Sequence, residues 1–341
     1  MTRPPFRAPG RPTLEEVAAL AGVGRGTASR VVNGSAQVSP KAKAAVEAAI
    51  TELGYVPNRA ARSLVTQRTD AVALVVSESQ ERVFGEPFFA AVLRGINAAL
   101  IETPLQLWLA MAATPAQRRR VEHHLTDQHV DGVLLLSLHD DDPLPALLRA
   151  RQMPFVLGGR PAQPGPEDAF VDVDNVAGAK LAVDHLLGRG ARRVATVAGP
   201  QDMPVGRDRL AGYRAALLAA GLGECVAFGD FSEAGGYAAT RALLAQDPAL
   251  DGIFAASDLM AAGALRALHE SGRSVPGRVL LAGFEDADVA RRTDPALTTV
   301  HQPVEEMGRR MATLLIDLIA EREDTDSHVL LDTHLVRRAS A

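Results

Sequence analysis

Ten lysines and arginines stand before Asp70 against four glutamates, so the first stretch of the chain carries +6. They are Arg3, Arg7, Arg11, Arg25, Arg30, Lys41, Lys43, Arg59, Arg62 and Arg68. The whole chain carries −5, which leaves −11 for the remainder. A basic head on an acidic body is the charge pattern of a molecule that meets a polyanion with one end only. Arginine adds a second possibility, because its planar fork can reach O6 and N7 of one guanine together, although interface arginines more often hold phosphates.

The acidic body offers no catalytic constellation. It lacks a G-x-S-x-G elbow, a G-x-x-x-x-G-K-[ST] phosphate loop and an H-E-x-x-H pair. His123, His124 and His129 are neighbours with only lone acids nearby, which reads as a helix surface and not as a metal cage. Asp140-Asp141-Asp142 reads as a solvated loop before Pro143, and Asp286 with Asp288 matches no acid pair of known geometry. Gly235-Gly236 precedes a helix, but two glycines alone are a poor phosphate signal. No enzyme, metal or cofactor is expected. The single Cys225 excludes an internal disulfide and a thiolate zinc site, which fits a reducing cytoplasm. Apolar runs such as Ala71–Val76 are too short to span a membrane. Met1 to Arg11, rich in proline and arginine, reads as a disordered lead-in and not as a secretory signal.

The elements that must carry these cations are short helices. Thr13 stands three residues before Glu16, the capping-box spacing, and Leu14, Val17, Ala18 and Ala21 follow at helical intervals until Gly22. A second helix is expected over Arg25 to Val32, burying Ala28, Val31 and Val32 and stopping at Asn33-Gly34. A third starts at Ser39-Pro40, carries Ala44, Val46, Ala49, Ile50 and Leu53, and ends at Gly54. Three short helices with a glycine turn between the first two fit a helix-turn-helix.

From Asp70 onward strand-like runs alternate with amphipathic helices. Expected strands include Ala71–Val76, Leu105–Met111, Val130–Ser137, Val194–Ala198 and Val279–Ala282, with Val329 to Val336 as a final strand. Helices are expected over Phe88–Ile101, Arg207–Ala219, Leu259–His269 and Arg309–Ala320. Such alternation means α/β lobes with parallel sheets covered on both faces, and its length calls for two of them. The lone Trp108 falls in an apolar strand, where core packing explains it.

The stretch PTLEEVAALAGVGRGTASRVVNGSAQVSPKAKAAVEAAITELGYVPNRAARSL closely resembles the headpiece of the lactose-repressor/galactose-repressor (LacI/GalR) family. The resemblance implies four segments: a lead-in at 1–11, a helix-turn-helix headpiece at 12–57, a hinge helix and linker at 58–68, and an effector-binding and dimerisation domain at 69–341. It implies DNA contacts from Thr13, Arg25, Gly26, Thr27, Ser29, Arg30, Asn33, Tyr55, Asn58, Arg59, Ala61 and Leu64. Arg25, Gly26 and Arg30 would face base edges, while Thr27 and Ser29 touch phosphates. Gly24 stands where many relatives carry a serine cap, a tolerable exchange, and Gly26 has no side chain to read a base. The eight residues Asn58 to Val65 cannot hold a helix in water alone, so this hinge helix would form when paired on DNA, with Leu64 wedged into a central base step.

Further landmarks are EPFFAAVLRGI, VDGVLL, VDVDNVAGAKLAVDHLLGRGARRVATVAGP, RDRLAGYRAAL, AASDLMAAGAL, LAGFED and LTTVHQP. They imply the periplasmic-binding-protein architecture, two lobes joined by three crossovers with a ligand cleft between them. The implied cleft residues are Phe88, Arg160, Asp174, Arg209, Phe231, Asp258, Glu285 and Gln302. Carboxylates and guanidinium forks suit vicinal hydroxyls and an aromatic ring suits a sugar's C–H face. Glu285 replaces a common aspartate and Arg160 a common acidic residue, while Asp174 and Asp258 could instead be helix caps. The wording GVGRGTASRVVNGS, GDFSEAGGYAA and FAASDLMAAGALRAL is most similar to cellobiose-responsive repressors of actinomycete bacteria. The reading is a repressor released from DNA by a short β-glucoside. It would act as a homodimer on a palindrome of G-rich half-sites around a central C-G step, with no membrane partner. The alternatives are a corepressor-dependent regulator of the same fold and a sugar-binding protein without a DNA role.

Overall fold

The computed structural model describes residues 12–32, 37–56, 68–126, 129–161, 165, 167–322 and 326–341. The lead-in, Asn33 and the hinge residues Asn58, Arg59, Ala61 and Leu64 lie outside them. The chain divides into two compact units, Met1–Thr69 and Asp70–Ala341.

The first unit holds α1 (Leu14–Leu20), α2 (Arg25–Val32) and α3 (Pro40–Leu53). The starts of α1 and α3 are set by local hydrogen bonds. Glu16 N–H donates to Thr13 Oγ1 at 3.3 Å and Thr13 N–H to the Glu16 carboxylate at 2.7 Å, completing the capping box. Ser39 caps α3 by accepting from Ala42 N–H, and Gly54 ends it at φ 59°, a conformation that glycine adopts without strain. Val17, Ala18, Ala28, Val46 and Ala49 form the buried core. Val31 and Val32, expected inside, are only half-buried, since a core of this size closes over the small Ala28 alone.

In the second unit the first lobe contains β1 (Ala71–Val76), α4 (Gln80–Gly85), α5 (Pro87–Leu100), β2 (Gln106–Met111), α6 (Pro115–Thr126), β3 (Gly132–Leu136), α7 (Leu144–Ala150), β4 (Phe155–Gly158) and β5 (Phe170–Val173). The second lobe contains α8 (Asn175–Gly188), β6 (Val194–Ala198), α9 (Pro204–Ala220), β7 (Val226–Phe228), α10 (Glu233–Gln246), β8 (Gly252–Ala255), α11 (Asp258–Glu270), β9 (Leu280–Glu285), α12 (Asp288–Arg292) and β10 (Thr298–His301). Then α13 (Val304–Ile319) returns to the first lobe, where β11 (His328–Leu331) follows, and β12 (His334–Val336) goes back to the second. The sheet orders are β2-β1-β3-β4-β5-β11 and β7-β6-β8-β9-β10-β12. All pairings are parallel except β12 on β10. Helices cover both faces, which explains why β1, β3 and β8 read as unbroken apolar runs.

The expected final strand at Val329–Val336 is thus two strands on two sheets, separated by Asp332 and Thr333, and so makes the third crossover. Apolar content cannot reveal which sheet a short strand joins. Trp108 also departs from expectation: β2 is an edge strand, and the indole is 47% exposed and stacked on His124 at 4.7 Å. His129 stacks on the same His124 imidazole, also at 4.7 Å. Among the described residues no His, Cys, Asp or Glu cluster could hold a metal, and no helix is long and apolar enough to cross a membrane.

Glycine-to-backbone helix crossings lock both lobes. A Cβ added at Gly95 of α5 would lie 1.9 Å from the Glu305 carbonyl oxygen of α13, and one at Gly308 would lie 2.2 Å from that of Val92. In the other lobe, Cβ atoms added at Gly236 of α10 and Gly263 of α11 would lie 2.3 and 2.0 Å from the Met260 and Glu233 carbonyl oxygens. Gly236 therefore serves close packing, which accounts for one glycine of the Gly235-Gly236 pair.

Candidate functional site

Strand ends β1, β3, β4 and β5 of one lobe face β6, β8, β9 and β10 of the other, and a cavity of about 310 Å³ lies between them. Open parallel sheets bind ligands at this end of their strands. Its centre is Arg209 on α9, only 2% exposed. A buried guanidinium is costly unless its donors find acceptors. Nε donates to Asn175 Oδ1 at 2.9 Å, Nη1 to the Ala256 carbonyl at 2.7 Å, and Nη2 to Gln302 Oε1 at 2.9 Å. Glu285 lies 3.6 Å from Nη1. Burial outweighs this attraction and pushes the Glu285 carboxyl up to about 7.

Of the eight expected cleft residues, Phe88, Arg160, Arg209, Phe231, Glu285 and Gln302 line the cavity. Asp174 and Asp258 do not. Asp174 is exposed and caps α8 by accepting from Ala177 N–H at 2.9 Å. Asp258 is fully buried behind the wall. Its two oxygens accept from Ala287 N–H at 2.8 Å and Thr299 Oγ1 at 2.6 Å, beside Gly283, where no side chain intrudes. Burial, reinforced by Glu285, raises its carboxyl well above the usual range. Asp258 therefore ties α11 to the β9–α12 loop and β10.

The cavity wall also holds residues that motif reasoning missed, among them Arg82, Glu86, His139, Arg149, Asp172 and Asn175. Asp172 accepts from Arg160 N–H at 3.2 Å and from Asn175 Nδ2 at 3.1 Å. A signal existed, since Asp172 interrupts a strand otherwise apolar and buried on both faces. Short α4 places Arg82 between Glu78 and Glu86, each at 2.7 Å. Burial raises the Glu86 carboxyl against the pull of Arg82. Ser137, Phe231 and Glu285, all on the wall, have φ of 60°, 69° and 110°. Strain of this kind, of order 1–3 kcal/mol per residue, gathers where a surface must be shaped for a ligand.

The acidic run is also more than a solvated loop. Asp140 pairs with Arg207 and Asp142 accepts from Ser77 Oγ at 2.5 Å. Asp142 also accepts from Leu144 N–H at 3.0 Å, ahead of α7.

In the first unit α2 exposes Arg25, Gly26 and Arg30, with Thr27 and Ser29 half-buried. The Gly24 carbonyl accepts from Thr27 and Ala28 N–H, so glycine suffices as its cap. Arg30 folds back over Gly26: a Cβ there would lie 4.0 Å from Arg30 Nη2. Arg25 pairs with Glu15 of α1 at 2.9 Å. Thr13 is committed to its cap, and Tyr55 packs half-buried on the headpiece core.

Residues 13–58 match the family of bacterial regulatory proteins, lacI family, and residues 183–341 a periplasmic binding protein-like domain. The HTH-type transcriptional regulator CelR of Thermobifida fusca is 53% identical over 334 residues, covering 97% of this chain and 98% of its own. A transcriptional regulator CelR–cellobiose complex superposes with a TM-score of 0.78 at 51% identity, covering 97% of this chain and all of the other. The lac repressor dimer bound to operator and the anti-inducer ONPF gives 0.84 at 27% identity, over 96% and 98%. Headpiece, two-lobed body and full-length similarity agree: the chain belongs to the lacI family of bacterial regulatory proteins.

Proposed function

We propose that this protein is a transcriptional repressor that binds operator DNA through its headpiece and is released by a short β-glucoside, with cellobiose the leading candidate. The observation that carries the sugar reading is the Arg209 centre. A buried guanidinium that donates to Asn175, Ala256 and Gln302 holds both amide side chains in place beside Glu285. With Asp172, these groups can bridge ring hydroxyls, while Phe88 and Phe231 offer faces for the C–H side of a pyranose. Its relative's complex with cellobiose points to that ligand.

On DNA, the exposed Arg25 and Arg30 forks would read guanines. A homodimer supplies the second half-site, since one headpiece spans too few bases for selectivity. Asn58, Arg59, Ala61 and Leu64 would enter the minor groove at a central C-G step of a palindrome with G-rich half-sites. The sugar releases DNA to the extent that it prefers the closed lobes over the DNA-bound arrangement, usually about 1–3 kcal/mol.

Fluorescence anisotropy of a labelled operator, titrated with cellobiose, tests the reading. Operator affinity should fall by about five- to 150-fold. A tighter complex would make the sugar a corepressor, and an unmoved one would remove cellobiose as the ligand.

A further inference from the structure

The rim of the cavity is crossed by contacts between the lobes. His139 Nδ1 lies 2.6 Å from Asp202 Oδ2. Asp140 receives two hydrogen bonds from the Arg207 fork, at 2.5 and 3.0 Å, and its own N–H donates to the Asp202 carbonyl at 2.9 Å. Beside them Arg160 reaches Asp208 at 2.8 Å. His139, Asp140 and Arg160 follow β3 and β4 of the first lobe, whereas Asp202, Arg207 and Asp208 follow β6 in the second. Side-chain exposure rises from 3% at Arg209 to 34% at Arg207, 46% at Asp140 and 61% at Asp202, which places these contacts at the edge.

We propose that this rim is a clasp that sets the length of the sugar, closing over a disaccharide and opening only at a cost for longer chains. This rests on the sugar reading above. The cavity, about 310 Å³, is at the small end of the range of about 300–1,000 Å³ for small-molecule sites. In this clasp a chain running past the disaccharide leaves between the loop at 137–142 and the segment at 201–208, the loop before α9 and the first turn of that helix. It then breaks the paired bonds of Asp140, the backbone bond and the His139 contact together. The Glu78 carboxylate, opposed by burial and aided by Asp202, holds the His139 imidazole up at about 9, so it is cationic at neutral pH. His139 and Asp202 therefore attract across the gap, as do Asp140 and Arg207. Each partly exposed pair is individually weak, and the discrimination comes from losing all of them at once.

The test is calorimetric titration of β-1,4-linked glucose chains of two, three, four and five units into the unaltered protein and the Asp202→Asn/Arg207→Gln double variant. Both side chains stand on the rim, away from the lobe cores, and a melting curve checks that the variant is folded. The unaltered protein should prefer two units over four by about tenfold, and the variant should narrow that ratio by about three- to tenfold. Single variants should each narrow it partly. An unchanged ratio in a folded variant, or equal affinity of the unaltered protein for two and four units, would overturn the clasp while leaving the sugar reading intact. Failure of every chain length to bind would overturn both.

Discussion

The Arg209 guanidinium lies over the Phe284 ring, its central carbon 3.7 Å from the ring centroid, while its edge donates to Asn175, Ala256 and Gln302. The ring shields one face of the cation and fixes the plane of the fork. A lysine can supply the charge but not three donors in that plane. Arg209→Lys should therefore leave operator binding in the absence of sugar within a few-fold and abolish release by sugar. It should also destabilise the fold by about 3 kcal/mol, since carbonyl and amide acceptors are left unpaired in a buried site. Anisotropy titration and urea melting check both; normal release by the variant would remove Arg209 from the ligand site.

Glu285 gives stability a pH dependence. Its folded value of about 7 lies above the ordinary 4.5, so the folded state holds the proton more tightly. This contribution is fully present below about pH 4.5 and disappears as pH rises through 7. Glu285→Gln should remove it. Relative to the variant, the unaltered protein should lose about 3 kcal/mol of unfolding free energy between pH 4.5 and 8. Parallel stability curves for the two proteins would contradict the assignment.

Arg25 must leave Glu15 to meet a base. Both side chains are largely exposed, so the pair is worth at most about 1 kcal/mol. Glu15→Gln should tighten operator binding by up to about fivefold through this pair and through lost repulsion from phosphates. Arg25→Ala should lose about 1–3 kcal/mol and relax discrimination at one base pair per half-site. Binding to singly substituted operators separates base reading from phosphate holding, because a phosphate clamp would weaken every operator equally.

Gly95 and Gly263 predict lobe-specific damage. A methyl at either position meets a backbone carbonyl of the neighbouring helix, which cannot rotate away. Gly95→Ala should destabilise the first lobe and Gly263→Ala the second, each by about 1–3 kcal/mol or more. Hydrogen exchange read strand by strand should show earlier opening of the affected sheet. Uniform loss of protection in both would argue that the lobes unfold as one.

The sequence by itself determined whatever depends on neighbours within four residues. Thr13 with Glu16, Ser39 with Pro40, and Gly54 mark headpiece helix ends because each acts through a hydrogen bond or backbone conformation inside one turn. The buried strands were legible for a similar reason, since an apolar run as short as Ala71–Val76 suits a strand in a sheet covered on both faces. Arg209 and Glu285 could be named from their motifs. Which way a carboxylate turns could not, and only the fold sends Asp258 to Ala287 and Thr299 while bringing Asp172 to the wall. Local signals are equally silent on Leu331 and His334, three positions apart yet on different sheets. His139 and Asp202 are 63 residues apart, on loops of opposite lobes. Their contact exists because three crossovers set the strand ends of two sheets facing each other, a relation that no local hydrogen bond encodes.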